Sequence, residues 1–131
     1  MQLIKIIQAR AALCRLTETR FKNFAVSRSL CALRKRVDEE VQFLQTEQQK
    51  AINAYAELKD GKPAFTDGGN VLLKSPADKE TFEAEIKRLL ELEISNISAV
   101  VIAEADFRSH EDYPSPDDMM ALDGLVEFTE G

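Results

Sequence analysis

The only histidine of the chain, His110, lies among carboxylates in the stretch FRSHEDYPSPDD, where a metal ion or an acid–base pair could be held. The carboxylates are Glu111, Asp112, Asp117 and Asp118. A zinc centre needs three or four ligands, commonly with more than one histidine or cysteine, and both cysteines lie far upstream. The spacing also lacks the alternating Asp/Asn pattern of an EF-hand calcium loop. We therefore interpret these four carboxylates as an acidic surface loop and predict no metal site.

Catalytic chemistry is not predicted for this chain either. A serine or cysteine nucleophile needs a base, and every histidine-based scheme must use His110, which stands in a polar loop beside Ser109. The DGGN stretch is not followed by the Lys-Ser/Thr of a phosphate-binding loop, so it is better interpreted as a tight turn. We expect a non-enzymatic protein that carries no cofactor.

The charges are divided unevenly along the chain, although the net charge is −6. Residues 1–36 carry nine Lys or Arg and one acid, whereas residues 104–131 carry nine acids and one base. The arginines that could follow a phosphate backbone are Arg10, Arg15, Arg20, Arg28, Arg34 and Arg36. The acidic remainder would repel nucleic acid, and few aromatic residues accompany these arginines. We therefore favour salt bridges between the basic and acidic parts, within one chain or between chains, and leave a separate protein partner as the alternative.

The length of 131 residues is that of one domain, and 44% of the residues are hydrophobic, which is enough for a real core. No run of about 18 apolar residues predicts a membrane span, so we expect an intracellular, cytoplasmic protein without a membrane partner. Cys14 and Cys31 occupy apolar positions and are predicted to be small core residues. A regulatory disulfide between them is the alternative.

The clearest periodic signal predicts one long helix over residues 25–58. Apolar residues recur there every three or four positions without an intervening Gly or Pro, which places them on one helical face. A helix of that length exceeds the diameter of a compact domain of this size, so the pattern indicates packing on another copy of the chain. The interface candidates are Val26, Leu30, Leu33, Val37, Val41 and Leu44.

The flanking segments predict the remaining elements of a single domain, residues 1–131. A basic helix occupies residues 1–24, and the Gly/Pro-rich residues 62–74 form a β-hairpin around an Asp-Gly turn. Residues 76–131 form a helix, a strand and a short C-terminal helix, and both helices open on a Ser-Pro pair. The predicted fold class is α+β and mostly helical.

The order of these elements resembles a family of short, uncharacterised proteins of tailed phages and prophages. The resemblance covers about residues 25–127 and rests on a long Glu/Lys-rich helix, the DGGNVLL hairpin, a Phe-x-x-x-Ile helix and the closing SPDDMMALDGLVEF. It implies a phage-associated protein in the host cytoplasm or the virion, and no catalytic residues come with it.

Three functions follow as hypotheses from these patterns. The first is a structural or assembly protein that self-associates through the long helix. The second is a small acidic inhibitor or adaptor that binds a basic surface of a host protein. The third is a nucleic-acid binder that uses the basic N-terminal segment.

Overall fold

The computed structural model describes residues 1–66 and 68–130. The helices are α1 (Leu3–Thr17), α2 (Phe24–Tyr55), α3 (Pro76–Leu90) and α4 (Pro116–Ala121). The strands are β1 (Leu58–Lys59), β2 (Lys62–Pro63), β3 (Val100–Ala103) and β4 (Val126–Thr129). Two short 3-10 helices, Glu104–Asp106 and His110–Asp112, lie between β3 and α4. Helices outweigh strands, which confirms the predicted class of a mostly helical α+β protein.

The chain forms two compact units. The first unit comprises Met1–Val41 and Glu93–Gly131, and the second comprises Gln42–Leu92. Helix α2 is therefore shared, with its first part in one unit and its remainder in the other. The predicted organisation as a single domain stays a prediction. Within the described residues, none of the helices combines the length and the hydrophobicity that crossing a bilayer requires.

The core of the first unit is built where the apolar faces of α1 and α2 meet the strands β3 and β4. Residues of α1 recur at helical spacing on its buried face, as Ile6, Leu13 and Leu16 do. The α2 residues of the same core are Val26, Leu30, Leu33 and Val37. Fully burying a side chain of this size contributes about 1.5–3 kcal/mol relative to leaving it exposed. This core fixes the part of the chain that carries the acidic residues.

Strands β3 and β4 pair in parallel, with Val100 opposite Val126 and Ile102 opposite Phe128. The sequence pattern assigned the end of the chain to a terminal helix, and that assignment is wrong beyond Ala121. Helix α4 ends there, and Gly124 adopts a left-handed φ of 86° that interrupts any helical continuation. Buried and exposed residues then alternate from Val126, as they do in a strand with one covered face.

The second unit combines the remainder of α2 with α3 and a small β-structure. Tyr55 donates its hydroxyl hydrogen to Glu85 of α3 at 2.8 Å, and Leu44 and Ala51 are buried along α2. Helix α2 ends three residues earlier than predicted, because the chain turns into β1 there.

The predicted hairpin over residues 62–74 is present as a bridge between Phe65 and Val71, whereas Asp67 of its turn lies outside the described residues. A second Asp-Gly pair, Asp60-Gly61, makes an additional turn between β1 and β2. Both of its residues have positive φ, of 55° and 77°, as a type I′ turn requires.

The Ser-Pro pairs cap their helices as predicted. The Ser75 hydroxyl accepts a hydrogen bond from the Asp78 backbone N–H at 3.1 Å, and Ser115 does the same for Asp118 at 3.2 Å. The prediction for the cysteines is wrong for Cys31, which is exposed, whereas Cys14 is half-buried. Apolar character placed Cys31 in the core, but its helical position turns it away from the buried stripe of α2.

Adjacent positions of α2 allow a direct test of this core. Leu30 is 1% exposed, so Leu30→Ala should lower the free energy of unfolding by about 2–5 kcal/mol, through lost burial and a cavity. The matched control Cys31→Ala truncates an exposed side chain. It should change the free energy of unfolding by less than about 0.5 kcal/mol. Urea unfolding followed by circular dichroism measures both. Equal losses in the two variants would contradict the assigned register of α2.

Candidate functional site

The interface candidates of the long helix lie in the protein's own core. Val26, Leu30, Leu33 and Val37 are buried in the first unit, and Val41 packs against the same cluster. Leu44, which belongs to the second unit, is buried as well. The prediction that this stripe mediates self-association stays a prediction. An amphipathic pattern shows that a helical face is covered, and it does not show whether the same chain or a second copy covers it.

Four of the six basic candidates are paired with acids of the same chain. Arg10 donates to Asp38 at 2.9 Å, and Arg34 lies 3.9 Å from that carboxylate. Arg36 pairs with Glu40 one turn later on α2. Arg20 and Arg28 have no ion-pair partner among residues 1–66 and 68–130. The basic part is therefore largely neutralised within the chain.

The pair of Arg15 and Asp118 joins the basic part of the chain to the acidic part. The guanidinium donates to both carboxylate oxygens, at 3.0 and 2.5 Å. This contact holds the pKa of Asp118 below its usual value. Lys5 forms a longer ion pair with Asp123, with 3.7 Å between Nζ and Oδ2. The salt bridges that we favoured between the two parts thus form within one chain.

The other acidic candidates remain exposed. Glu111, Asp112 and Asp117 have no ion-pair partner in the part of the chain that the structure describes. The ring of His110 stands edge-on to Tyr113, with 5.1 Å between the ring centroids. Among the described residues, no group of three or more His, Cys, Asp and Glu side chains is placed to hold a metal ion.

We call residues 104–130 the acidic segment. Of its nine carboxylates, Asp118 and Asp123 are ion-paired, and the other seven lack an ion-pair partner among the described residues. By contrast, five of the nine basic residues in residues 1–36 are ion-paired. The unbalanced charge of the first unit is therefore negative and is concentrated in this segment.

An aromatic pocket of about 260 Å³ lies within the acidic segment and was not predicted from the sequence. Its lining residues are Ile102, Glu104, Phe107, Tyr113, Pro114, Met119, Phe128, Thr129 and Glu130. The ring of Phe107 is central, with its centroid 5.0 Å from Tyr113 and 6.5 Å from Phe128. We call this cavity the aromatic pocket. Its lining comes from β3, β4, α4 and the segment between β3 and α4, so it depends on the parallel pairing.

The charged side chains that line the aromatic pocket are acidic. Glu104 and Glu130 are exposed carboxylates, and no Lys, Arg or His belongs to the lining. Tyr113 donates its hydroxyl hydrogen to Glu104 at 3.0 Å, which orients that carboxylate. Burial of Tyr113 is the main cause that raises the pKa of its phenol, and this hydrogen bond is the second cause. The pocket therefore combines an apolar floor with negative charge.

A larger groove in the first unit differs in character. It has a volume of about 610 Å³ and lies between α2 and residues 96–101. Small side chains such as Ala25, Ser29 and Ala32 line it on the helical side, and Arg36 is its only charged lining residue. Charge therefore does not select an occupant for this groove, in contrast to the aromatic pocket.

Comparison with known proteins finds no family model, no curated protein and no solved structure that matches this chain. The resemblance to short phage proteins therefore stays a prediction.

The two tyrosines of the chain allow the environment of the aromatic pocket to be measured. In the Tyr55→Phe variant, Tyr113 is the only tyrosine, and its pKa should lie above 10.0 in the folded protein. Because the folded state favours the neutral phenol, Tyr113 stabilises the fold below its unfolded pKa. That contribution is lost as the pH rises through the folded pKa. Tyrosinate absorbance during a pH titration measures the value.

Two further titrations serve as controls for the Tyr113 pKa. Adding Glu104→Gln should lower the Tyr113 pKa but leave it above the unfolded value, because burial is the larger cause of the shift and remains in the variant. The same titration in denaturant gives the unfolded reference. A folded pKa equal to that reference would show that Tyr113 is neither buried nor bound to Glu104.

Proposed function

We propose that this chain is a non-enzymatic interaction protein that binds a basic surface of a partner protein through its acidic segment. The observation that carries the proposal is the imbalance of charge within the first unit. Most basic residues of residues 1–36 are paired internally, whereas seven carboxylates of the acidic segment are not. An unbalanced negative surface steers the approach of a positively charged partner and disfavours other partners.

A foreign partner accounts for the charge better than a second copy of the chain. Two copies, each with a net charge of −6, repel one another at long range. The candidates for a helical interface include Leu30 and Val37, which lie in the core of the first unit. Self-association through α2 would require that core to open, so it is not part of the proposal.

Nucleic-acid binding has weaker support. The basic residues of residues 1–36 without an ion-pair partner in the described chain are Arg20, Lys22, Arg28 and Lys35. They belong to a unit whose remaining charge is negative, and a phosphate backbone requires an excess of positive charge. The resemblance to phage proteins would place the proposed interaction in an infected host cell or a virion, as an inhibitor, adaptor or assembly component.

The proposal predicts a monomer at both low and high salt. The apolar stripe of α2 is already covered, and like net charge opposes association. Light scattering in the two buffers measures the mass. A dimer that persists in high salt would contradict the proposal and favour assembly through apolar contacts. An oligomer that forms only at low salt would mean that the basic residues of one copy occupy the acidic segment of another.

The proposal also predicts where a basic ligand binds. Hexalysine should shift backbone NMR signals of the acidic segment at low salt, and the shifts should vanish at ~1 M salt, where the Debye length is about 3 Å. Residues of α3 are the internal control, because the second unit holds seven basic and nine acidic residues and is nearly balanced. Hexaglutamate should shift neither region. Equal shifts in α3 and in the acidic segment would overturn the proposed binding surface.

A further inference from the structure

We infer that the aromatic pocket is a socket for one lysine or arginine side chain of the partner protein. This inference rests on the proposed function and makes it specific, because it identifies the anchoring contact within the acidic segment. It also assigns a role to a cavity that the sequence patterns did not reveal.

The size of the pocket fits a single side chain. Its volume of about 260 Å³ lies below the roughly 300–1,000 Å³ that is typical of sites for drug-sized ligands. The lining is largely apolar and includes the fully buried Ile102 and the rings of Phe107 and Phe128. Long basic side chains bury their methylene stems against such surfaces while the charged head stays near water.

The register of the parallel strands places two carboxylates at one end of the sheet. Ala103 pairs with Thr129 at the end of the sheet, so Glu104 and Glu130 follow at the same end, one residue beyond the pairing. Both line the aromatic pocket. Like charges that share a site repel one another, and a cation between them converts that repulsion into attraction. An acidic ligand would add to the repulsion between the two carboxylates, and an apolar ligand would not reduce it.

The aromatic rings add attraction for a cation. An ammonium or guanidinium group within about 6 Å of an aromatic face is stabilised by the negative face of the ring, and more so where water is partly excluded. Tyr113 is half-buried, and its ring packs against Phe107. A guanidinium group can also stack on such a ring and donate to a carboxylate at the same time.

The pocket is held in shape before any ligand arrives. Tyr113 orients Glu104 through its hydroxyl group, and the Asp106 carboxylate accepts a hydrogen bond from the Ala103 backbone N–H at 2.9 Å. The ring of His110 also packs against the ring of Tyr113, nearly perpendicular to it. Groups that are already ordered lose little conformational freedom on binding, which favours affinity.

Two pairs of substitutions with equal charge change test the socket. Glu104→Gln with Glu130→Gln removes the carboxylates of the pocket, whereas Glu111→Gln with Asp112→Asn removes two exposed ones that do not line it. Binding of fluorescent hexalysine and hexa-arginine is measured by polarisation. The pocket pair should weaken binding about tenfold, as expected for loss of charge-assisted contacts, and the control pair about twofold. Glutamine keeps an acceptor for Tyr113, so the fold is retained.

A second measurement locates the side chain. Met119 lines the pocket and Met120 does not, being 71% exposed beside it. The Met119 methyl signal should therefore shift when hexalysine is added, and the Met120 methyl signal should not. A hexapeptide of acetyl-lysine keeps the stem but lacks the charge, and it should leave both methyl signals unchanged.

The outcomes separate the socket from the proposed function. Equal weakening by the two pairs, with both methyl signals unchanged, overturns the socket and leaves an acidic binding segment in place. Absence of binding to either basic peptide overturns both. An oligomer of the free protein that dissociates when hexalysine is added shows that a second copy fills the socket, which overturns the foreign partner.

Discussion

Burial of the apolar stripe of α2 is the constraint on which the rest of the first unit depends. A helix of 32 residues is about 48 Å long at 1.5 Å per residue, and an apolar stripe along it must be covered everywhere. The first unit covers its share with α1 and with the residues around β3 and β4. The second unit covers the remainder near Leu44 and Ala51. Buried residues of this one amphipathic helix therefore belong to both units.

The parallel strands β3 and β4 contribute Ile102 and Val126 to the same core, and their pairing produces the candidate site. Parallel strands cannot be joined by a tight turn, so a long connection must run from the end of β3 to the start of β4. Here the connection carries two 3-10 helices and α4, and with them most carboxylates of the acidic segment. Because both strands end at the same edge, Glu104 and Glu130 are brought together beside Phe107 and Phe128. The pocket is a consequence of strand direction.

The segment that connects β3 to β4 also decides which charges of the first unit are paired. It brings Asp118 to Arg15 of α1 and Asp123 towards Lys5, so part of the basic N-terminal charge is neutralised in the chain itself. Exposed ion pairs of this kind contribute little to stability, typically 0 to about 1 kcal/mol. They leave the remaining carboxylates of the acidic segment as the dominant unbalanced charge of the first unit, which is the basis of the proposed function.

Local patterns in the sequence determined the helices and their caps. The three- to four-residue spacing of apolar residues located α2 to within three residues at its C-terminal end, and the Ser-Pro pairs located the starts of α3 and α4. These features depend on contacts within a few residues, so a local pattern contains the information. Only the tertiary structure decided what covers the α2 stripe, that the chain ends in a strand at Val126–Thr129, and that Phe128 meets Phe107. Those contacts join residues far apart along the chain, and their energies depend on burial by partners that no local pattern identifies.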